Sequence, residues 1–489
     1  MKDKGLIFNS AVFILYSGLV LAGMYYHELW GDELHSWNIV KGSNSLGELF
    51  RNIRYEGHPP LWYIYLYCFT RFSHALIFLK AAQFIFVASG SFLLLFFSPF
   101  SKLQKTIILC GYFFIFEYAL LARNYMPAVF FAFCLAIIFH REFKYKTVLY
   151  CILLFLLSNV HLLGLLLAVA IHTGYCFGKM KSGVTGLAHL TAGLLVFLPA
   201  VYFILPPADS QLGFQFWISR WTFSKFYQVA GGLLRAFFPF PDPGNFHWWN
   251  SHYFLDRDNL PFRLVSSLLA VFLAVVIYAT SRKSKTALVV LATNFVLTFL
   301  LALIFPMSAA RYTGFMWIGF IVSAWISFLD SSKPFNGRLF LFLLLLQVPA
   351  GFFAYTRELT GEFSSSASVV EMQKQIPLGT FSATDYWCLN NLSAWLDTPY
   401  YCIELQKNIS FLKWNSAMKA AIHYDYAKGL TDLLNRNGGK PFYFFSSRPY
   451  NVLLPHQSSG NHIRLTLAAA SSEAVENSGQ VYLFLVEAN

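Results

Sequence analysis

Acidic, basic and imidazole side chains gather in a few short stretches of this sequence. WGDELHSW (30–37) sets Asp32 beside Glu33, with His35 close behind. EGHPPLW (56–62) carries Glu56 and His58, and EYALLARNYM (117–126) carries Arg123 and Tyr125. His161 and the pair Arg311–Tyr312 interrupt surroundings that are otherwise apolar. A carboxylate within hydrogen-bond reach of a hydroxyl can take its proton as the oxygen attacks. Arginine's planar fork fits phosphate oxygens, and such donors stabilise charge gathering on a leaving phosphate. Glu56, His58 and His161 are of the types that ligate a divalent metal, although no tight ligand spacing joins them. The mixture suits deprotonation of an acceptor next to an anionic, phosphate-containing lipid.

Each residue also has a plainer use. Asp32 and Glu33 suit the start of a short helix, where acids meet the positive end of the helix dipole. His58 precedes Pro59-Pro60, and proline fits a first helical turn. Arg123 and Arg311 would equally snorkel to lipid headgroups. Trp30 and Trp37 read as anchors at a membrane–water interface.

The elements that must position these groups are membrane helices. Of 489 residues, 56% are hydrophobic and only 12% charged, where a soluble domain carries about 25% charged residues. Mean hydropathy is +0.51. Apolar stretches long enough to cross about 30 Å of hydrocarbon recur through residues 1–355. The expected fold is a polytopic α-helical membrane domain of 11 to 13 helices, followed by a small α/β domain at 356–489. Within 356–489, PFYFFSS, HIRLTLAA and QVYLFLVE read as strands and 424–436 as a helix. The segment 59–97 looks like two helices where the charge pattern wants an odd number of crossings.

The net charge of +12 does not point to nucleic acid, because no basic patch joins a known binding fold. Basic residues instead fall in short clusters between apolar runs, among them Lys102/Lys105, Arg141–Lys146, Lys179/Lys181, Arg282–Lys285 and Lys333–Arg338. Such clusters mark cytoplasmic loops. They place loop 27–58, the tip 117–127, the turn 158–161, the aromatic loop 206–262 and the C-terminal domain outside, together with the polar residues above. The N-terminus reads as an uncleaved signal anchor. Five of the seven cysteines lie in apolar segments as small packing residues, while Cys388 and Cys402 would be able to pair in an oxidising compartment.

GDELHSWNIVKGSNSLGELFRNIRYEGHPPLWYIYL (31–66) resembles the first outer loop of GT-C membrane glycosyltransferases, in the branch of protein O-mannosyltransferases and aminoarabinose transferases (glycosyltransferase family 39-like). That branch shows an acidic pair after the first helix and a Glu/Asp-x-His/Lys-Pro-Pro-Leu stretch opening a later one; here these are Asp32-Glu33 and EGHPPLW. EYALLARNYM matches an Ala-Arg-x-Tyr core. The resemblance covers about residues 1–130 in motifs and the remainder only in layout. It implies an inverting transfer from a polyprenyl-phosphate-sugar donor on the outer face of a bacterial cytoplasmic membrane, to a protein, lipid or glycan acceptor. Asp32 would be the general base and Glu33 its support. Glu56, His58, Arg123, Tyr125, His161, Arg311 and Tyr312 would form the donor-phosphate and substrate-binding set. His58 stands where aminoarabinose transferases have lysine, and would need its proton to serve as a cation. No cofactor is firmly implied, and a divalent metal at Glu56 and His58 stays open. Two alternatives remain beside this reading: an oligosaccharide transferase with a pyrophosphate-linked donor, and a non-enzymatic polyprenyl-lipid transporter or flippase.

Overall fold

The computed structural model describes residues 2–179, 185–210, 229–257, 259–305, 309–330, 335–418, 424–453, 463–476 and 480–489, with Tyr227 and Met307. Much of the 206–262 loop (211–226, 228 and 258) and the basic residues Lys181 and Lys333 lie outside the described residues.

The chain is a multi-pass helical membrane protein with a small sheet. Among the described residues, seven helices are long and apolar enough to cross a bilayer, and three shorter apolar ones accompany them (Tyr125–Ile138, Lys146–Ser158 and Leu195–Ile204). The expected count of 11 to 13 exceeds the seven because several apolar runs are broken into shorter pieces. In chain order the first elements are α1 (Lys2–Tyr26), α2 (Gly31–Lys41), α3 (Leu46–Ile53), α4 (Leu61–Thr70), α5 (Ile77–Phe97), α6 (Lys102–Cys110), α7 (Tyr125–Ile138), α8 (Lys146–Ser158) and α9 (Leu162–Lys179). In the doubtful region, the 10 residues of α4 span only about 15 Å, while α5 is long and apolar enough to cross. Polar caps set several helix starts. Ser101 begins α6, Asn259 begins Leu260–Ser281, and Ser284 begins Lys285–Ile304.

Helix Ala310–Leu329 is the most buried of the seven candidate spans. Gly314 lets it approach the π-helical turn Phe113–Glu117, because a Cβ there would sit 2.3 Å from the Phe113 ring and 2.4 Å from the Tyr118 hydroxyl. Tyr118 then donates to the Arg311 carbonyl at 2.7 Å. This packing brings the Arg311–Tyr312 end of the helix against the irregular segment 118–124.

The C-terminal sheet has six strands, β1 (Ser382–Thr384), β2 (Tyr400–Cys402), β3 (Lys407–Ile409), β4 (Phe442–Ser446), β5 (Ile463–Ala470) and β6 (Tyr482–Ala488), in the order β3-β2-β1-β4-β6-β5. Strand β1 runs parallel to β2 and β4, and the other pairings are antiparallel. The longer strands β4, β5 and β6 fall on the strand-like runs read from sequence; β1–β3, at three residues each, are too short to stand out. No disulfide joins Cys388 and Cys402. Both are buried free thiols, and Cys402 donates to Glu404 at 3.2 Å.

This domain is docked on α2. Lys41 pairs with Asp397 at 2.8 Å and donates to the Ser393 carbonyl at 2.6 Å, while Asn38 donates to the Asn390 carbonyl at 2.9 Å. Trp37 is wholly buried and bonded to the His74 carbonyl, and Trp30 packs edge-on against Trp249 at 4.9 Å. Neither tryptophan anchors at a lipid interface, because the docked domain and the aromatic loop cover that side of α2.

Candidate active site

The adjacent acids separate at the first turn of α2. Glu33 is the third helical residue, and its carboxylate accepts the backbone N–H of Trp30 at 2.9 Å. That is the reach-back half of a capping box. The same carboxylate accepts from the backbone N–H of Ala122 and contacts His27 Nε2 at 3.1 Å, and Glu33 is 0% exposed. A buried, irregular segment such as 118–124 must find partners for its backbone groups, and Glu33 supplies one. His27 in turn contacts Glu358 at 2.8 Å. Burial pulls His27 down, but Glu33 and Glu358 outweigh it and raise the imidazole to about 10. Lys80 donates to the carbonyls of Met24 and His27, both at 2.7 Å, adding a second positive charge. Glu33 is therefore a structural acid.

Asp32, one residue earlier, faces outward. Its side chain is 48% exposed, and its carboxylate takes no hydrogen bond among the described residues. Arg123 fixes its backbone by donating to the Asp32 carbonyl at 2.7 Å and to the Ser36 hydroxyl at 3.3 Å, with the guanidinium 3.8 Å from the Asp32 carboxylate.

The EGHPP stretch reaches the same place by a turn. Gly57 has φ +65°, a left-handed conformation that glycine adopts readily. Prolines 59 and 60 remove two backbone donors, and Leu61 N–H bonds to the Asn159 carbonyl at 2.9 Å. That docking stacks His58 against His161, ring centroids 5.0 Å apart. Burial first, then Arg123, lowers His58 to about 3. That shift favours the neutral imidazole, as desolvation beside a guanidinium should. Glu56 turns the other way and pairs with His35 at 3.1 Å, whose second nitrogen contacts the Asn390 side chain at 3.2 Å. Burial opposes protonation of His35, but Glu56 prevails and raises it.

Asp32, Glu56, His58, Arg123 and Tyr312 line one cavity of about 210 Å³, together with Trp30, Gly31 and His35. Glu33, Tyr125 and His161 are packed behind it; Tyr125 meets the His161 ring at 5.1 Å. Arg311 lies to one side, over the rings of Trp249, Tyr312 and Trp30 at 4.8, 4.9 and 5.4 Å, with one nitrogen on Asn250 at 2.9 Å. Its Nε is buried and has no hydrogen-bond partner among the described residues. The metal expectation does not fit: Glu56 is committed to His35, and among the described residues no three His, Cys, Asp or Glu side chains gather as ligands.

No family model matches this chain, and no curated protein does. Its structural neighbours include ArnT. The crystal structure of ArnT from Cupriavidus metallidurans bound to undecaprenyl phosphate aligns over 98% of this chain and 97% of that one, at 13% identity and a TM-score of 0.44. Its apo state aligns over 99% and 98%, at 13% identity and a TM-score of 0.45.

The cavity has a roof that the motifs did not announce. Trp387, Asn390, Asn391, Leu412, Trp414 and Glu476 come from the sheet domain. Trp387 and Trp414 carry no motif, and only the docking of this domain on α2 brings them over the cavity.

Proposed function

We propose that the chain is an inverting glycosyltransferase of the GT-C class, taking a single sugar from a polyprenyl-phosphate donor on the outer face of a bacterial cytoplasmic membrane. One observation carries this reading: Asp32 is a half-exposed carboxylate in a cavity beside a buried guanidinium, and it takes no hydrogen bond among the described residues. Asp32 takes the proton of the acceptor hydroxyl as that oxygen bonds to the anomeric carbon. The bond from the anomeric carbon to the phosphate oxygen breaks, and polyprenyl phosphate leaves with the electron pair. Arg123 sits where it can meet the charge that develops there. Tyr312 and Arg311 approach from the adjoining helix, and the neutral His58 offers a hydrogen bond without charge. Glu56 holds His35, and through it the roof. The motif resemblance over 31–66 supports the same assignment.

The test is transfer from an undecaprenyl-phosphate-linked sugar by the purified chain in lipid nanodiscs, with mass spectrometry of surface glycans in a deletion strain naming sugar and acceptor. Asp32→Asn is expected to insert and fold but not to transfer. Near-normal turnover in that variant removes Asp32 as the base.

A further inference from the structure

We propose that Trp387 and Trp414 of the sheet domain form a stacking wall for one pyranose ring in this cavity, with the Asn391 amide reading its hydroxyls. The proposal rests on the glycosyl-transfer reading and deepens it by saying which surface holds the sugar.

Trp387 is 48% exposed and lines the cavity, so part of its indole is open to that space. Its ring stands 6.3 Å from that of Trp414 at 57°, so the two make an open corner rather than a packed pair. Neither indole N–H donates a hydrogen bond among the described residues. Asn391 is only 5% exposed, lines the cavity, and its amide has no partner among the described residues. The Asn391 amide atoms are not among the unpartnered atoms sealed from solvent, so a group in the cavity can reach them. A pyranose presents C–H hydrogens on a face and hydroxyls around its edge. The hydrogens match the electron-rich face of an indole, and the hydroxyls match Asn391 and the indole N–H groups.

The corner is held firmly. Asp385 accepts from the Cys388 N–H at 2.8 Å, the Ser447 N–H at 2.7 Å and the Ser446 hydroxyl at 2.9 Å, which fixes the turn bearing Trp387 to the end of β4. Trp414 lies on an irregular segment whose side chains alternate: Leu412 and Trp414 line this cavity, while Phe411, Lys413 and Asn415 line a separate groove. The volume of about 210 Å³ falls below the usual range of roughly 300–1,000 Å³ for drug-sized ligands. It suits one sugar ring rather than an oligosaccharide.

The test uses saturation-transfer NMR on the full chain in nanodiscs, with methyl mannopyranoside, methyl glucopyranoside, methyl galactopyranoside and methyl arabinopyranoside as probes. Saturation is expected to reach the ring C–H protons of at least one probe. Trp387→Ala and Trp414→Ala should each weaken that binding about tenfold, and Trp387→Phe should largely retain it. Undecaprenyl phosphate binding, measured in parallel, should be unchanged in all three variants. Displacement of the probe by undecaprenyl-phosphate-linked sugar assigns the wall to the donor sugar; persistence assigns it to a glycan acceptor; both uphold it. Absence of saturation transfer to every probe on the wild-type chain, or undiminished transfer in the Trp387→Ala/Trp414→Ala double variant, overturns it. Pyranoside binding by a wild-type chain that does not bind undecaprenyl phosphate would leave the wall standing and remove the polyprenyl donor.

Discussion

Arg123 donates to the backbone carbonyl of Asp32 at 2.7 Å, yet its guanidinium stays 3.8 Å from that residue's carboxylate. The shorter bond locks the start of α2, and the longer separation leaves the carboxylate available to an acceptor. Asp32→Asn should therefore lower turnover by about 10²–10⁴-fold, the usual contribution of a positioned base. Polyprenyl-phosphate binding should change little. Steady-state transfer and a binding titration on one preparation check both.

The two acids should differ in stability as sharply as in exposure. Glu33→Ala leaves His27 and the Ala122 N–H without their buried partner, and loss of one member of a buried pair costs about 3–5 kcal/mol. Asp32→Asn, at a half-exposed carboxylate, should stay within about 0.5 kcal/mol of wild type. Thermal unfolding in detergent separates the two.

Arg311 lies over three aromatic rings, and its Nε has no hydrogen-bond partner among the described residues. If it contacts the donor phosphate, Arg311→Ala removes a charge-assisted bond of about 1.5–3 kcal/mol, or roughly 10–100-fold in affinity. Unchanged undecaprenyl phosphate affinity would remove Arg311 from the site.

His27 sets an alkaline limit. Its folded value, about 10, lies above its ordinary 6.5 because Glu33 and Glu358 overcome burial. The stability it contributes is complete below about 6.5 and is lost as pH rises through about 10. His27→Gln should lower stability at pH 7 and flatten the decline between pH 7 and 10, read as melting temperature against pH.

Glu404 should show a second pH dependence, confined to the sheet domain. Burial first, then Asp385, raises it from 4.5 to about 7, and it accepts the Tyr426 hydroxyl and the Tyr386 N–H. A raised folded value stabilises the domain fully below about 4.5 and loses that support as pH passes about 7. Hydrogen-exchange protection at 385–388, corrected for the intrinsic pH dependence of exchange, should fall between pH 4.5 and about 7, and Glu404→Gln should remove the fall.

Much of this architecture is local and therefore readable from residue order. Apolar length marks a crossing helix, and short runs rich in aromatic and aliphatic residues mark β4, β5 and β6, because both depend only on near neighbours. The acidic pair, EGHPP and Ala-Arg-x-Tyr were visible as chemistry for the same reason. What residue order left undecided was which groups meet and in what protonation state. Asp32 and Arg123 are 91 residues apart, and they meet because α2 packs on segment 118–124, where Glu33 takes the Ala122 N–H and Arg123 reaches the Asp32 carbonyl. Burial then divides the neighbouring acids, turning Glu33 into a cap and leaving Asp32 open, and it strips the proton from His58. The roof of Trp387, Asn391 and Trp414 exists only because the sheet domain docks on α2 through Lys41, Asn38 and His35. Contacts across such separations, and the solvation that sets charge, are properties of the folded backbone's path, which no local pattern encodes.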